Sequence, residues 1–370
     1  MNQGKINVAI VGLGFGAEFI PIFQRHPHAN VYAICQRTKE KLDQIGDAFG
    51  VEKRYTSFEE LIKDPGVDAV HINSPIHLHA PQSIAALKAG KHVASTVPAA
   101  TTVKECEQIV KAARKSGRNY MMMETVIYSR EYLYVRELRD TGKLGRIQFL
   151  RGSHLQNMEG WPSYWEGLPP MHYATHCVSP CLALVKGEAD YVSCLGSGRI
   201  AEPLIAKYGS PFSFETAHFK IRNQDLGCEV TRFLFNAARQ YIESFDAYGS
   251  NTSFEWQLVE GEDPVLHVGG EKVEKVKIPD YAHLLPEPIR CFTTKGVYDA
   301  DEHQHLSFIQ GGGHGGSHPH LAHEFLMSIV EGRPSFPDVY QSVNWTMAGI
   351  CAHESALRGG AVIKIPDFRS

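Results

Sequence analysis

An apolar strand followed at once by a glycine-rich turn constrains this 370-residue chain more than any other stretch. The run from Val8 to Val11 is typical of a strand buried on both faces of a parallel sheet. Glycines at positions 12, 14 and 16 follow, and a helical pattern then begins. This strand–turn–helix order is the one that a dinucleotide fingerprint requires, because it aims a helix N-terminus at a pyrophosphate. We therefore predict that the chain binds a nucleotide.

The small residues of the turn have separate roles. Gly12 permits the bend, Gly14 lets the backbone approach the phosphates, and Ala17 takes the third small position, where helix meets strand. The residues predicted to contact the cofactor in this stretch are Gly12, Gly14, Phe15, Gly16 and Ala17.

The end of the second strand bears on the choice of cofactor. Residues 30–35 read as that strand, and an NAD-binding fold usually follows it with an acidic residue that binds the ribose hydroxyls. Here Gln36 and Arg37 follow. Gln36 can hydrogen-bond a ribose, while Arg37 either meets a 2′-phosphate or is simply solvated. NAD and NADP therefore both stay open.

Strands and helices alternate up to about residue 125, which predicts one doubly wound α/β domain over residues 1–125. The carboxyl ends of such strands line the ligand crevice. After the strand at 67–72, the predicted cofactor contacts are Asn73, Ser74, Pro75 and His77. From Arg130 the pattern changes to strands separated by turns, with helices returning near the end of the chain. We predict a second, α+β domain over residues 126–370 that binds substrate and mediates oligomerisation.

Composition excludes several classes of partner. A formal net charge of -4 gives no electrostatic attraction to nucleic acid or to an anionic membrane. No apolar run approaches the ~20 residues of a membrane span, and the polar start is not that of a signal peptide. The eight cysteines form no Cys-x-x-Cys motif and several lie in apolar runs, which predicts reduced, buried thiols in a cytoplasmic protein.

Three short motifs carry a family resemblance. The Gly12-x-Gly14 start, the Asn73–Pro75 crevice and a Gly-Lys-His-Val stretch leading to Pro98 resemble the glucose–fructose oxidoreductase/inositol dehydrogenase (Gfo/Idh/MocA) family. The resemblance implies a Rossmann domain, then a domain with a large open, mostly antiparallel sheet that commonly pairs as a homodimer or homotetramer. The cofactor turn implied by the family is Thr96, Val97 and Pro98. Members usually carry a lysine before that proline, whereas a valine has no proton to transfer, so the usual family base is absent.

The densest group of chemically active residues lies around His172, Tyr173 and His176. If the segment is helical, the two histidines stand one turn apart on the same face. A histidine can take the proton of a sugar hydroxyl while hydride leaves the same carbon for a nicotinamide. The alternative is a pair of hydrogen-bonded structural histidines. Dehydrogenases of the family carry Asp-x-x-x-His in the corresponding helix, which this sequence matches at His176, with His172 in place of the aspartate.

Further motifs are similar to the NAD-dependent glycosidase branch typified by α-N-acetylgalactosaminidase. The shared features are the valine at 97, Met-Met-Glu ending at Glu124, Tyr173-x-x-His176, and Gly-His-Gly-Gly around His314. This likeness implies transient oxidation of a ring hydroxyl, proton loss, elimination of the aglycone, water addition and re-reduction. The acid–base groups available for it are Glu124, Tyr128, Tyr173 and His176, with His172 as a further catalytic candidate. Glu124 is also a predicted cofactor contact; alternatively it is a salt-bridged strand-end carboxylate, and Tyr128 is a core residue.

Two further clusters have both functional and structural interpretations. Trp161, Tyr164 and Trp165 suit stacking on sugar C–H faces but also suit a buried loop plug. We take Trp161, Trp165 and His314 as candidate substrate-binding residues. The histidines at 314, 318, 320 and 323 suggest a metal, yet no acidic or cysteine partner accompanies them, so substrate-loop or helix-capping roles are favoured and no metal is predicted.

Together these features predict an NAD(P)-dependent oxidoreductase that moves hydride between a nicotinamide and a ring secondary alcohol of a small carbohydrate. One alternative is an NAD-dependent glycoside hydrolase that uses the same hydride step transiently. Another is a non-catalytic sugar or cofactor sensor that kept the fold and lost the base at position 97.

Overall fold

The computed structural model describes residues 4–158, 167–259, 261–294 and 314–369. The chain divides into two compact units. The first comprises Met1–Ser129 and Asp280–Val343, and the second Arg130–Pro279 and Asn344–Ser370. The predicted boundary at 125/126 lies four residues before the observed one. The division also differs from the prediction because residues 280–343 pack with the first unit and not with the second.

The first unit is built on a six-stranded sheet in the order β3-β2-β1-β4-β5-β6, with every neighbouring pair parallel. This is the strand order of a dinucleotide-binding fold. The strands are β1 (Ile6–Val11), β2 (Ala29–Cys35), β3 (Arg54–Tyr55), β4 (Ala69–Ile72), β5 (His92–Ser95) and β6 (Tyr120–Met122). The helices are α1 (Ile20–Arg25), α2 (Lys39–Ala48), α3 (Phe58–Lys63), α4 (His79–Lys88) and α5 (Val103–Ser116).

Local sequence explains where these elements begin and end. Helix α5 starts at a complete capping box, in which Thr102 accepts the Glu105 N–H and the Glu105 carboxylate accepts the Thr102 N–H. It ends at Gly117, whose φ of 64° is a left-handed conformation that glycine adopts without strain. All four residues of β4 are buried, as expected for a central strand covered on both faces.

The second unit contains a nine-stranded sheet in the order β14-β13-β12-β11-β7-β10-β9-β8-β15. All its neighbouring pairs are antiparallel except β7 with β10. Its strands are β7 (Ile147–Leu155), β8 (Ala189–Ser197), β9 (Phe214–Ile221), β10 (Gly227–Phe233), β11 (Ile242–Gly249), β12 (Thr252–Glu255), β13 (Val265–Val268), β14 (Lys272–Lys275) and β15 (Ile363–Lys364). Its helices are α6 (Arg130–Asp140), α7 (Thr175–Leu184) and α8 (Glu202–Tyr208). The predicted fold class, a Rossmann domain plus a mostly antiparallel open sheet, is confirmed.

One glycine brings a buried helix against this sheet. Every residue of α7 is buried. A Cβ at Gly152 on β7 would lie 2.1 Å from the Cys177 carbonyl oxygen, so only glycine permits this approach of helix to strand. The first turn of α7, with its side chains, is therefore fixed on the sheet.

Two long helices close the chain. Helix α9 (His318–Val330) belongs to the first unit, and α10 (Val339–Leu357) contains the chain position, 343/344, at which one unit gives way to the other. The later segment completes the edge of the first sheet: Asn119 donates to Ser328 Oγ (2.9 Å), and Ser342 Oγ accepts the Met122 N–H (3.2 Å). No helix in the described part of the chain is long and apolar enough to span a membrane. All eight cysteines are free thiols; seven are buried, as predicted, and Cys291 is exposed.

Candidate functional site

The glycine turn after β1 is shaped by close backbone contacts. Gly12 has a φ of 82°, and a Cβ there would lie 2.4 Å from the Asn73 carbonyl oxygen. Its N–H donates to the Cys35 carbonyl at 3.0 Å. Any larger residue at position 12 would therefore push apart the ends of three neighbouring strands.

The next two glycines face different surroundings. A Cβ at Gly14 would meet nothing nearer than the Lys41 ammonium at 3.9 Å, so this side of the turn is open for the approach of a phosphate. A Cβ at Gly16 would lie 2.9 Å from both the Asn73 side-chain nitrogen and Ile10. The close contact of helix with strand is thus made by Gly16, whereas the sequence indicated Ala17, which is also buried.

The end of β2 contacts the same turn. Gln36 Oε1 accepts the Leu13 N–H at 3.0 Å, so the glutamine that the sequence assigned to the ribose also holds the turn. Arg37 is exposed. Both candidate ribose contacts therefore lie at the carboxyl edge of the sheet, beside the turn.

The loop after β4 supplies a polar group to this edge. The Asn73 N–H donates to the Val11 carbonyl at 2.7 Å, and its side-chain NH2 donates to the His71 carbonyl at 3.3 Å. Asn73 Oδ1 is buried and has no hydrogen-bond partner among the described residues. A buried acceptor without a donor beside an open glycine turn fits the binding of a nucleotide. Of the other predicted contacts here, Ser74 and Pro75 are half-buried and His77 is exposed.

A histidine that the sequence analysis did not select joins two of these loops. The two ring nitrogens of His79 lie 2.8 Å from the carbonyl oxygens of Ser74 and Pro98. The side chain is buried, and burial lowers its pKa below the ordinary value. His79 therefore fixes the β4 loop against the turn Thr96–Pro98, in which Val97 is buried and the Val97–Pro98 peptide is cis.

Glu124 and Tyr128 follow the last strand of the sheet. Glu124 is buried, and its Oε1 accepts the Val126 N–H at 3.1 Å. The Tyr128 hydroxyl donates to the Phe336 carbonyl at 2.7 Å. Glu124 thus lies at the same strand edge as the glycine turn, while Tyr128 already uses its proton in a structural hydrogen bond.

In the second unit, Tyr173 and His176 do meet as predicted. The Tyr173 oxygen lies 3.3 Å from His176 Nε2, and both side chains are buried. Tyr173 ends a 3-10 helix (Pro170–Tyr173), and His176 lies in the first turn of α7. A non-helical residue, Ala174, separates the two helices.

Three further residues complete this group, His154 from β7, Glu243 from β11 and Tyr241 just before β11, and none of them was predicted. Glu243 Oε1 lies 3.6 Å from His176 Nε2 and 3.7 Å from His154 Nε2, and it accepts a short hydrogen bond from the Tyr241 hydroxyl. Burial, followed by the nearby Glu243 carboxylate, raises the pKa of Tyr241 well above its ordinary value. We call Tyr173, His176, His154, Tyr241 and Glu243 the imidazole–carboxylate cluster.

A buried arginine supports the cluster. Arg232 on β10 donates to the carbonyls of Tyr173 (2.8 Å) and His154 (3.1 Å) and to Gln156 Oε1 (2.9 Å). Its guanidinium carbon lies 5.6 Å from the centre of the Tyr173 ring. Burial lowers the pKa of Arg232 to about 10, so it remains a cation at neutral pH. It therefore fixes two segments that carry cluster residues and adds positive charge next to Glu243.

His172 lies in a different environment from His176. Because the helix breaks at Ala174, the two are not on one helical face as the sequence suggested. The His172 ring packs edge-on against His353 at 5.2 Å, and burial lowers the pKa of His172 to about 3. His353 Nδ1 lies 2.6 Å from the buried Glu215, which also accepts the Met171 N–H at 2.8 Å. His172 therefore belongs to a network that anchors the segment leading to α7.

Three of the four late histidines lie in two pairs within the first unit, one of which includes His26. His314 Nδ1 lies 3.2 Å from His318 Nε2, and His323 Nδ1 lies 3.0 Å from His26 Nε2. No group of three or more potential ligands suitable for a metal ion occurs within the described ranges of the chain. Trp161, Tyr164 and Trp165 lie outside the described residues.

Comparison with known proteins identifies the first unit. Residues 6–124 match the family model described as "Oxidoreductase family, NAD-binding Rossmann fold". This stretch is similar to the NAD-binding domain of Gfo/Idh/MocA oxidoreductases. The resemblance and the cofactor class predicted from the sequence are thereby confirmed, and the glycine turn, the Asn73 loop and Glu124 all lie inside the matched stretch.

Relatives that span almost the whole chain have glycosidase names. An α-N-acetylgalactosaminidase of Shewanella oneidensis is 24% identical over an alignment that covers 98% of this chain and 85% of the relative. Glycosyl hydrolase family 109 proteins of Shewanella baltica and Shewanella pealeana match at the same identity and coverage. The predicted similarity to this group is confirmed.

Solved structures share the fold over both units. A levoglucosan dehydrogenase in complex with NADH and levoglucosan superposes with a TM-score of 0.79 at 21% identity, covering 98% of this chain and all of that one. A scyllo-inositol dehydrogenase from Lactobacillus casei gives 0.73 at 20% identity, covering 98% and 99%. These likenesses show the fold of this chain.

Two of the residues that the sequence analysis did not select, Arg232 and His154, had a detectable signal in the sequence. In β10 the buried positions alternate as Cys228, Val230 and Arg232, so the arginine stands in register with apolar residues. His154 continues the buried row of Leu150 and Gly152 in the same way. A charged or imidazole side chain on the apolar face of an alternating strand indicates a buried polar network.

Proposed function

We propose that this protein is an NAD-dependent carbohydrate enzyme whose reaction includes hydride transfer at a ring secondary alcohol. The observation that carries the proposal is the imidazole–carboxylate cluster of the second unit, in a chain whose first unit is an NAD-binding domain. When bound, the nicotinamide cofactor supplies a hydride acceptor and donor. The chain itself must then move the hydroxyl proton.

The cluster suits proton transfer because His176 Nε2 is close to two different oxygens. Tyr173 lies 3.3 Å away and can pass a proton to or from the imidazole. The Glu243 carboxylate lies 3.6 Å away and stabilises the imidazolium that forms when His176 accepts a proton. We therefore assign His176 as the proton acceptor, Tyr173 as its hydroxyl partner, and Glu243 as the electrostatic support.

Two observations favour a carbohydrate as the substrate. The structural neighbours named above include dehydrogenases of levoglucosan and of scyllo-inositol, both polyhydroxylated rings. The proposed donor–acceptor set of tyrosine, histidine and carboxylate suits hydroxyl groups of neutral ligands. On the first unit, Glu124 and His314 supply a further carboxylate and imidazole for the same ligand class.

A second candidate is net glycoside cleavage through the same hydride step. Val97 replaces the lysine that the family usually carries, and the relatives with glycosidase names align over 98% of the chain. In that reaction the hydride is returned at the end of each cycle, so the cofactor is not consumed.

One assay separates these functions. The full-length protein is incubated with NAD+ or NADP+ and with inositols, anhydrosugars and p-nitrophenyl glycosides, while reduced cofactor and released nitrophenol are both measured. We expect nitrophenol release with only catalytic NAD+ if the net reaction is cleavage. One reduced cofactor per oxidised alcohol would instead identify a dehydrogenase. Cofactor binding without either product over the whole panel would contradict the enzyme and leave the sensor.

A further inference from the structure

Two charged residues lie opposite each other on the buried face of the nine-stranded sheet. Glu215 on β9 is the direct register partner of Arg232 on β10, and both are fully buried. Directly opposed residues of an antiparallel pair project to the same face of the sheet. Burying an ionisable side chain is costly unless its polar atoms find partners. The partners of this pair therefore indicate what it does.

The hydrogen bonds of the two side chains meet on one short segment. Glu215 Oε2 accepts the Met171 N–H at 2.8 Å, and the Arg232 Nε–H donates to the Tyr173 carbonyl at 2.8 Å. The carboxyl group thus holds the backbone just before His172, and the guanidinium holds the backbone just after it. Two neighbouring strands therefore fix the segment Met171–Tyr173 at both of its ends.

Helix α10 contacts the same segment. A Cβ at Gly349 would lie 2.1 Å from the Met171 carbonyl oxygen, so the backbone of the helix lies directly against that carbonyl. One turn further along α10, His353 Nδ1 lies 2.6 Å from Glu215 Oε1. A backbone N–H can only donate, so Glu215 Oε2 is the acceptor for Met171 whichever of Glu215 and His353 carries the proton between them.

The segment is too short to set its own orientation firmly. Residues Pro170–Tyr173 form a four-residue 3-10 helix, a helix type whose hydrogen-bond geometry is poorer than that of an α-helix. The non-helical Ala174 separates it from α7. We therefore attribute the direction of the Tyr173 side chain to the hydrogen bonds that its backbone segment makes with the sheet.

The direction of this side chain matters because the Tyr173 oxygen lies 3.3 Å from His176 Nε2. Proton transfer between the two groups requires them to stay within hydrogen-bond reach. A displacement of about 1 Å at a reacting group can lower a rate about 10²-fold. We propose that Glu215 and Arg232 are a pair of positioning residues that fix the Tyr173 hydroxyl against His176. The part that Tyr173 plays in the reaction rests on the proposed function, whereas its positioning does not.

The first measurement is 19F NMR of the full-length protein labelled with 3-fluorotyrosine, with NAD+ present. Tyr173→Phe assigns the Tyr173 signal among those of the 15 tyrosines. Glu215→Leu removes the acceptor of the Met171 N–H, so we expect the Tyr173 signal to shift and broaden. Glu215→Gln keeps an acceptor oxygen at this position, so its Tyr173 signal should stay at the wild-type position.

A second variant covers the case in which Glu215→Leu does not fold. Combining Glu215→Leu with Arg232→Met replaces both charged residues by apolar ones, which often preserves stability where removing one charge does not. This double variant should show the same change in the Tyr173 signal. Asn344→Ala is the matched control, because Asn344 is a buried α10 side chain that bonds the backbone of Ala189. It should lower thermal stability and leave the Tyr173 signal unchanged.

The kinetic measurement is made separately. With any carbohydrate that the wild type turns over, Glu215→Leu should lower kcat about 10²-fold, while KM and NAD affinity stay within twofold. Glu215→Gln should restore most of that rate, since it keeps the hydrogen bond to Met171. Asn344→Ala should turn over at the wild-type rate once it is shown by thermal unfolding to be folded at the assay temperature.

An unchanged Tyr173 signal in the folded variants that carry Glu215→Leu would overturn the inference. A loss of rate in Glu215→Gln or in Asn344→Ala equal to that in Glu215→Leu would also overturn it, because the loss would then not follow the hydrogen bond to Met171. Absence of turnover on every carbohydrate would contradict the proposed function, and the NMR result would still decide the positioning.

Discussion

The cofactor turn of the first unit is formed mainly by backbone groups, whereas the imidazole–carboxylate cluster of the second unit is formed by side chains. The turn is made of backbone, with contacts such as Gly12 against the Asn73 carbonyl and the Leu13 N–H on Gln36. The cluster is made of side chains contributed by α7, by the 3-10 helix before it, by β7, and by β11 with the residue that precedes it. A ligand of the turn is recognised by shape and N–H groups, whereas a ligand of the cluster meets groups that exchange protons.

The difference implies different tolerance to substitution. In the turn, a single added methyl group alters geometry, while most side chains point elsewhere. In the cluster, the geometry is over-determined by Arg232 and by the Glu215 network, while chemistry depends on a few atoms of His176. Substitutions in the first region should change binding, and those in the second should change rate.

The substitution His176→Ala should have the largest effect, and it tests whether the cluster controls rate and not cofactor binding. We expect turnover to fall roughly 10²–10⁴-fold, the usual effect of removing an acid–base group, with NAD affinity unchanged. The measurements are kcat on the best carbohydrate substrate and calorimetric titration with NAD+. His172→Asn is the matched control: because His172 packs on His353, it should lower thermal stability and leave the chemical step in place. Equal loss of rate in both variants would mean that the two histidines act together after all.

Gly12→Ala and Gly14→Ala test the backbone side of the comparison. At position 12 a methyl group meets Asn73 at 2.4 Å and a positive φ, so we expect a loss of unfolding free energy of about 3 kcal/mol from overpacking and backbone strain. At position 14 the methyl group has open space, so stability should hold while NAD affinity falls. Denaturant unfolding and NAD titration of both variants measure this. A destabilised Gly14→Ala protein would show that the turn is not open as described.

Lowering the pH should reduce the unfolding free energy of the first unit more than that of the second. Burial lowers the pKa of His26 and of His71 to about 3 and that of His92 to about 4, all in the first unit. Because the unfolded chain binds protons at these sites below its ordinary histidine pKa of ~6.5 and the folded unit does not, stability is complete above that pH and is lost as pH falls towards these values.

His71 gives this prediction a single-site measurement. It is fully buried against Phe19, at 4.5 Å between ring centres, and neither nitrogen has a hydrogen-bond partner among the described residues. His71→Leu should therefore recover roughly 2 kcal/mol of the stability that the wild type loses between pH 7 and pH 5. The exposed His283→Leu serves as control and should unfold with the wild-type pH dependence. An unaltered slope in His71→Leu would show that His71 is not buried in its neutral form.

Among these substitutions, Arg37→Ala should have the smallest effect, a modest change in nucleotide affinity. The side chain is exposed, so an ion pair with a 2′-phosphate would contribute up to ~1 kcal/mol, or about fivefold in affinity. We expect weaker NADP binding and unchanged NAD binding, measured by parallel titrations. If both affinities fall together, Arg37 contacts a part that the two nucleotides share.

Much of the first unit could be predicted from the sequence because its signals are contiguous. The apolar run, the glycines after it and the alternation of strands with helices define the sheet and its binding edge without reference to distant residues. The second unit was predicted only as strands separated by turns. Glu243 is one acid among 41 Asp and Glu residues, and it comes near His176 only because β11 pairs with β7 and α7 packs on these strands.

The neighbours of His172 also depend on contacts between residues that are distant in the sequence. Spacing alone suggested one helical face for His172 and His176, but the break at Ala174 and the buried Glu215–His353 pair assign them different neighbours. The relevant partners lie 43 and 181 residues further along the chain. Pairings over such separations are set by sheet register and helix packing, which a local pattern does not encode.

The interleaving of the two units along the chain has a consequence for synthesis. The edge strand β6 of the NAD-binding unit relies on Ser328 and Ser342, which leave the ribosome more than 200 residues after it. A nascent chain that ends near residue 125 would contain the complete glycine turn. It would lack the later segment whose Ser328 and Ser342 hydrogen-bond to the edge of its sheet. The sheet of the NAD-binding unit therefore cannot be completed until residues 130–279, the first segment of the second unit, have been translated.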